Sequence, residues 1–269
     1  MSRVVFKISA GFLVGALALL AMALYLSGYY LREETRLAAA GDLRGALEAS
    51  RTAARLDPFS PRPLEGQSYL LQQQGQGEDA ASALREAIER DPNNYILHLL
   101  MGNLQLAKLD NLDAAARSYR KVLELNPNHT SASSALAQVL VKKGDLEGAK
   151  KEYEKLREQR EITYQGLYDL GRIYVRTGEP GKGYRIISLA RRSASAGLQN
   201  LEGPLRAQRE ELIVSMDLAL ADALVVQREY ARAREVLAAS SSDQAPALLQ
   251  LLDADPEAYR ESVVNSEIY

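Results

Sequence analysis

The sequence predicts an all-α fold: a solenoid of helix pairs preceded by a single membrane-crossing helix. Three observations carry this. A short residue pattern returns with a step of about 34 residues, the period of stacked helix-turn-helix units that cannot bury an apolar face alone. Within each step, small and large side chains keep helical spacing. The first 30 residues, by contrast, are apolar almost without interruption.

That first segment begins with Met1 to Lys7, which carries Arg3 and Lys7, and continues from Ile8 to Leu26 with Ser9 as its one polar side chain. At about 1.5 Å per residue the run nearly crosses a hydrocarbon core of about 30 Å, and Ser27 to Tyr30 can finish the crossing. Its Leu, Ile, Val and Phe residues favour insertion by about −3 to −5 kcal/mol, less the cost of Gly11 and Gly15. Tyr25, Tyr29 and Tyr30 suit the headgroup layer. A cleaved signal peptide is the competing reading, because Ala21-Met22-Ala23 has the small-x-small form of a cleavage site. Leu24-Tyr25-Leu26 carries the apolar run past that site and favours an uncleaved anchor. With no cysteine in the chain, lipid attachment through a cysteine is excluded. Arg3 and Lys7 favour a cytoplasmic N-terminus with the remainder outside the cytoplasm, a contrast that Arg32, Arg36 and Arg44 weaken. Between Leu17 and Ala40 only Ser27 and Gly28 weaken a helix, so the membrane helix should run directly into the first repeat.

The repeats are read from four echoes: Gly41 to Pro58, Gly77 to Pro92, Asp110 to Pro127 and Gly144 to Leu156. Each unit needs a small residue early in its second helix, where two helices cross closely. Ala46, Ala80, Ala115, Ala149, Gly183 and Ala233 fill that place. Four residues on come the core fillers Leu84, Tyr119, Tyr153, Ile187 and Leu237, with Ser50 as a poor exception. Pro58, Pro92 and Pro127 close second helices, since proline cannot continue the hydrogen-bond ladder. Gly41, Gly75, Gly144 and Gly178 sit in the turns between paired helices, and Asp110-Asn111 carries one extra residue. The first helices show large-then-small pairs, Met101-Gly102, Leu136-Ala137, Leu170-Gly171 and Leu220-Ala221, followed by Leu71, Leu140, Tyr174 and Leu224 on the same face.

This pattern resembles the tetratricopeptide repeat (TPR) family over roughly residues 29 to 240, most strongly from Pro61 to Leu156. The resemblance implies a right-handed α-solenoid of about five to six TPR helix pairs. The expected division is residues 1–30 for the basic tail and transmembrane helix, 29–240 for the solenoid and 241–269 for C-terminal capping helices and a tail. In that last part, Ala247 to Leu252 and Pro256 to Val264 read as two short helices; the first covers the open end of the stack or docks a partner, and Ile268-Tyr269 is expected to fray.

Nothing in the chain points to catalysis or a cofactor. Without cysteine there is no disulfide framework, zinc-thiolate site or thiol nucleophile. His98 and His129 lack ligand-type spacing; the first reads as a packed or half-exposed histidine and the second as an exposed turn residue. No nucleophile elbow, P-loop, dinucleotide fingerprint or H-E-x-x-H helix is present. Gly178 to Gly183 is glycine-rich with Lys182 in place, yet it falls at an inter-helix turn with no strand before it. The chain holds 33 Lys and Arg against 35 Asp and Glu, and no basic stripe supports nucleic-acid binding. No metal, small-molecule substrate or enzyme activity is expected.

The expected site is the concave wall lined by first helices. By spacing it includes Tyr69, Gln72 and Gln73, then Leu99, Leu100, Asn103 and Leu106. Ser134, Gln138 and Lys142 follow, then Tyr168, Asp169, Arg172 and Arg176. Among these, Leu99 and Leu106 are read equally well as packing against neighbouring repeats. Asn and Gln would bond a peptide backbone, and arginines gather toward one end. Some family members clamp a terminal carboxylate in this groove; Asn103 fits one such place, but Leu31, Thr35, Ser131 and Ala135 occupy others. What the resemblance implies is a membrane-anchored TPR scaffold or adaptor that assembles or stabilises a membrane-associated multi-protein complex. Two alternatives stand beside it: a periplasmic client-binding factor resembling TPR proteins of cytochrome c maturation, or an accessory domain regulating a neighbouring membrane enzyme. In each case the partner is a protein or peptide.

Overall fold

The computed structural model describes residues 2–266 and Ile268, with side chains from Leu13 onward. The described residues form fourteen α-helices and no strand. The chain divides into two compact units, Met1–Pro127 and Asn128–Tyr269.

In the first unit the helices are α1 Ser2–Ala39, α2 Leu43–Leu56, α3 Arg62–Gln73, α4 Gly77–Arg90, α5 Tyr95–Ala107 and α6 Leu112–Leu125. They pack as successive antiparallel pairs: α1 with α2, α3 with α4, α5 with α6. The recurring alanines explain the pairing. Ala46, Ala80 and Ala115 have no exposed surface, and Leu84 and Tyr119 fill the space behind them. Small residues let the backbones approach, and the larger side chain one turn on occupies the gap. At Gly102 the approach is direct, since a Cβ there would fall 2.8 Å from the Tyr119 ring. Ser50 departs from the pattern without leaving a hole: it is fully buried and its hydroxyl donates to the Pro63 carbonyl at 2.7 Å. Second helices end at Asp57, Asp91 and Asn126, each followed by proline.

One helix, α1, runs unbroken through Ser27 and Gly28, as the absence of strong helix breakers implies. Its character changes along its length. From Leu13 to Tyr25 nearly every side chain lies exposed; Ser27 is buried, and its hydroxyl donates to the Ala53 carbonyl at 3.1 Å, after which one side of the helix is partly covered. Packing against α2 therefore begins where the apolar run ends. The stretch Leu13–Ala39 is long and apolar enough to cross a membrane.

The second unit contains α7 Thr130–Lys142, α8 Leu146–Glu158, α9 Tyr164–Arg176, α10 Pro180–Ser195, α11 Gly203–Val226, α12 Tyr230–Ala239, α13 Ala245–Ala254 and α14 Pro256–Asn265. The tightest crossing lies between α9 and α10. A Cβ on Gly183 would meet the Gly171 carbonyl oxygen at 2.7 Å, so only glycine fits both sides. His129 is not a passive turn residue: its Nδ1 accepts from the Ala132 N–H at 3.1 Å and caps α7, which fixes the tautomer with the proton on Nε2. The glycine-rich Gly178 to Gly183 forms the turn and the start of α10, and Lys182 is used internally, 3.9 Å from the Tyr174 ring centre and 3.4 Å from Glu154.

The turn positions show how the period is kept and broken. Gly41, Gly75, Gly144 and Gly178 all have positive φ, and Asp110 and Arg228 adopt the same left-handed region at the corresponding turns. From Gly178 to Arg228 is 50 positions (228 − 178) rather than the regular step. The excess residues form a 3-10 turn, Leu198–Asn200, and the extra length of α11, whose 24 residues compare with 13 in α9. The first half of α11 is mostly exposed. Beyond α12 the chain folds back: α13 packs on α12, while α14 packs on α11 and α9. Ile268 is only 5% exposed; Tyr269, expected to fray with it, lies outside the described residues.

Candidate functional site

The first-helix residues of the first unit form an open surface. Tyr69 and Gln73 stand one helical turn apart on α3 and both are exposed, Tyr69 by 60%. Gln72 is half-buried beside them. On α5, Asn103 is exposed and Leu99 and Leu106 are half-buried at neighbouring turns. Leu100 is different: it packs against the core formed by α2, α3, α4 and α5 and does not belong to this surface. The Tyr119 hydroxyl donates to the Asn103 side-chain carbonyl at 2.8 Å, so that amide is held in orientation with its N–H₂ end available as a donor. Burial pushes the Tyr119 phenol up to about 12, keeping it protonated for this bond.

In the second unit, Gln138 is half-buried and Lys142 exposed on α7, one turn apart, with Ser134 half-buried. The α9 residues do not behave as an open wall. Asp169 is fully buried and accepts from the Tyr153 hydroxyl at 3.0 Å; it is an internal brace between α8 and α9. Tyr168 is 7% exposed and its hydroxyl donates to the Ser215 carbonyl of α11 at 3.3 Å. Burial raises its phenol, with the Arg172 charge acting the other way. Arg172 lies over the Tyr168 ring, 5.1 Å from its centre, and donates to the Ile268 carbonyl. Arg176 donates through Nε to the Ser266 carbonyl at 3.0 Å and through Nη2 to the Ser266 hydroxyl at 2.8 Å. The arginines expected to face a partner thus hold residues 266 and 268 of their own chain.

Asp222 on α11 completes this cluster. It accepts from the Tyr259 hydroxyl of α14 at 2.9 Å. Burial raises its carboxyl above the usual range, opposed by the Tyr259 hydrogen bond and by the Arg176 and Arg172 charges. Arg176 is pushed down by burial and by Arg172, and held up by Asp222. Two cations face one carboxylate in this partly dry site, and peptide carbonyls accept hydrogen bonds from the guanidinium groups. A pocket of about 510 Å³ opens beside them, bordered by Tyr168, Arg172, Ser215, Asp222 and Ser242.

Asp222 was missed by sequence reasoning although its signal is present. It directly follows the small residue of Leu220-Ala221, as Asn103 follows Gly102, Gln138 follows Ala137 and Arg172 follows Gly171. Tyr259, Ser266 and Ile268 carry no comparable signal. Among the described residues no group of three or more His, Cys, Asp or Glu side chains could hold a metal ion.

Comparison with known proteins agrees with this architecture. Two family models described as tetratricopeptide repeat match the chain, one over residues 31–95 and 65–130, the other over residues 106–168. A crystal structure of MamA superimposes with a TM-score of 0.58 at 18% identity, covering 66% of this chain and 97% of that one. YrrB, described as a TPR protein with an unusual peptide-binding site, gives 0.52 at 21% identity over 60% of this chain and 82% of its own. A tetratricopeptide repeat protein from Parabacteroides merdae gives 0.55 at 16% identity over 85% and 99%. At these identities the likeness is one of fold.

Proposed function

Because the chain belongs to the tetratricopeptide repeat family, we propose that it is a membrane-anchored scaffold that holds protein partners in a multi-protein complex beside the bilayer. The observation that carries the anchor is the surface of α1. Leu13, Val14, Leu17, Leu19, Leu20, Met22 and Leu24 are all exposed, an apolar sleeve far larger than soluble proteins display singly. A bilayer would cover that sleeve, and Tyr25 and Tyr29 would sit at its rim. The unbroken helix from span to first repeat would then fix the tilt of the first unit relative to the membrane. Arg3 and Lys7 support a cytoplasmic N-terminus with the repeats on the other side.

The partner side rests on Tyr69, Gln73 and Asn103, an aromatic ring and two amides left open on first helices. Aromatic anchors ringed by polar groups commonly carry interface energy. A second reading, reversible holding of an extended client segment, is favoured by the seating of residues 266 and 268 on Arg172 and Arg176.

The test has two parts. Full-length protein should remain in the membrane fraction through alkaline carbonate, and its mass should include residues before Leu24; a mature terminus at Leu24 would remove the anchor. Tyr69→Ala with Gln73→Ala should weaken partner capture in a membrane pull-down with an unchanged circular dichroism melt. Lys121→Ala with Lys155→Ala, on second helices, should leave capture intact, and the opposite outcome would place the partner on the outer face.

A further inference from the structure

We propose that the α9 and α11 face of the second unit is a binding site for an extended peptide segment, and that Ser266 and Ile268 of this chain are its resident competitors. This deepens the protein-binding reading above and rests on it.

The bonding pattern identifies the ligand class. After α14 the backbone turns extended at Ser266, with φ −73° and ψ 146°. Arg176 then grips the Ser266 carbonyl and hydroxyl, and Arg172 grips the carbonyl of Ile268, two residues on. Alternate residues of an extended chain face the same way, so two arginines spaced one helical turn apart can read the carbonyls of residues i and i+2. Recognition falls on main-chain acceptors, supplemented by a hydroxyl at i and a buried niche that holds Ile268. A partner segment of the form Ser-x-Ile, or another small hydroxyl followed two residues later by a branched apolar side chain, would make the same contacts.

The seat of these contacts is functional in position. Arg172 follows the small residue of its crossing, the place that holds the exposed Asn103 in the first unit. A segment tethered beside its site acts at an effective concentration of about millimolar, enough for a weak cis contact to exclude free ligands of similar chemistry. Tyr259 links the two events: its bond to Asp222 holds α14 against the same cluster that neutralises the arginines. Release of α14 frees Asp222, the arginines and the Ile268 niche together.

The probe is a fluorescein-labelled pentapeptide, Asn-Ser-Glu-Ile-Tyr, copied from residues 265–269. Fluorescence anisotropy would compare detergent-purified full chain, a chain ending at Asn265, and full chain carrying Ile268→Asp, which loosens the tail without deleting it. Both altered chains should bind the peptide at least tenfold more tightly than the unaltered chain, and Arg172→Ala with Arg176→Ala in the shortened chain should abolish binding. Equal binding to all three chains, no binding to either altered chain with an unchanged helical signal, or insensitivity to the arginine pair would overturn the proposal. Concentration-dependent dimers of the unaltered chain that vanish on shortening would also overturn it, by placing the tail in a second copy. Loss of partner capture through Tyr69 is scored separately, so failure of the peptide arm leaves the scaffold reading standing and the reverse also holds.

Discussion

Tyr69 and Arg172 hold the same place in the repeat, one residue after the small side chain at a helix crossing. Tyr69 is 60% exposed, whereas Arg172 is stacked on Tyr168 and bonded to the Ile268 carbonyl of its own chain. The repeat pattern decides which way a first-helix side chain points; it does not decide whether the space in front of that side chain is empty. In the first unit every step is about one period, and each pair meets only its neighbours. In the second, the 50-position step before Arg228 lengthens α11, and the helices after α12 double back until α14 lies on α9 and α11. Local rhythm builds the wall, and its interruption fills it.

The largest expected effects test whether the two units share one packing rule. Leu84→Ala and Ile187→Ala each remove a fully buried filler and should destabilise by about 2–5 kcal/mol. In a repeat array the loss should stay near its site. Hydrogen exchange should rise around α3 to α5 for the first variant and around α9 to α11 for the second; identical profiles would make the division into two units wrong.

Crossing positions come next. Ala115→Leu and Gly183→Leu should overpack their helix pairs by about 1–3 kcal/mol, with Gly183 the more sensitive because it faces the Gly171 backbone. Arg117→Leu, exposed on α6, should stay within about 0.5 kcal/mol. Similar urea midpoints for Ala115→Leu and Arg117→Leu would show the register to be displaced.

The positions that set these crossings were legible from spacing alone. Ala46, Ala80, Ala115, Ala149 and Ala233 stand at a fixed place after a turn, and all have no exposed surface. Spacing works there because a helix crossing is a local constraint, settled by residues one turn apart and by the next helix. Tyr168 and Asp169 share the spacing of wall residues yet are buried, because helical spacing cannot distinguish an open face from one beneath another helix. Arg176 meets Ser266 across 90 positions, and no periodicity links the two. Asp222 was legible in principle, by extending the post-crossing rule to the sixth pair.

A smaller effect concerns two of the buried tyrosines, Tyr119 and Tyr259. Tyr119 is raised to about 12 by burial, and Tyr259 is raised by burial and by Asp222 beside it. A phenol raised in the folded state contributes stability that is complete below about pH 10, the ordinary value, and is lost as pH climbs through its folded value. The advantage of the unaltered chain over Tyr119→Phe should therefore shrink between about pH 10 and about 12. Urea midpoints that differ by the same amount across that range would show the hydroxyl to be solvated.

The smallest effect concerns helix starts. Asp42, Asn111 and Asp145 cap α2, α6 and α8 by accepting from Gly45, Ala114 and Gly148, whereas Gln76 gives α4 no side-chain cap. Gln76→Asp should stabilise the first unit by about 0.5–1 kcal/mol. A lower melting temperature would mean that α4 begins elsewhere.

The contrast between an open and a self-filled wall can be measured directly because the chain contains no cysteine. Single cysteines at Tyr69 and at Ile268 can be followed by their rate of maleimide labelling in the folded protein. The account predicts that Tyr69→Cys labels at least tenfold faster than Ile268→Cys, and that Arg172→Ala with Arg176→Ala brings the second rate up to the first. Equal rates in the unaltered background would contradict it.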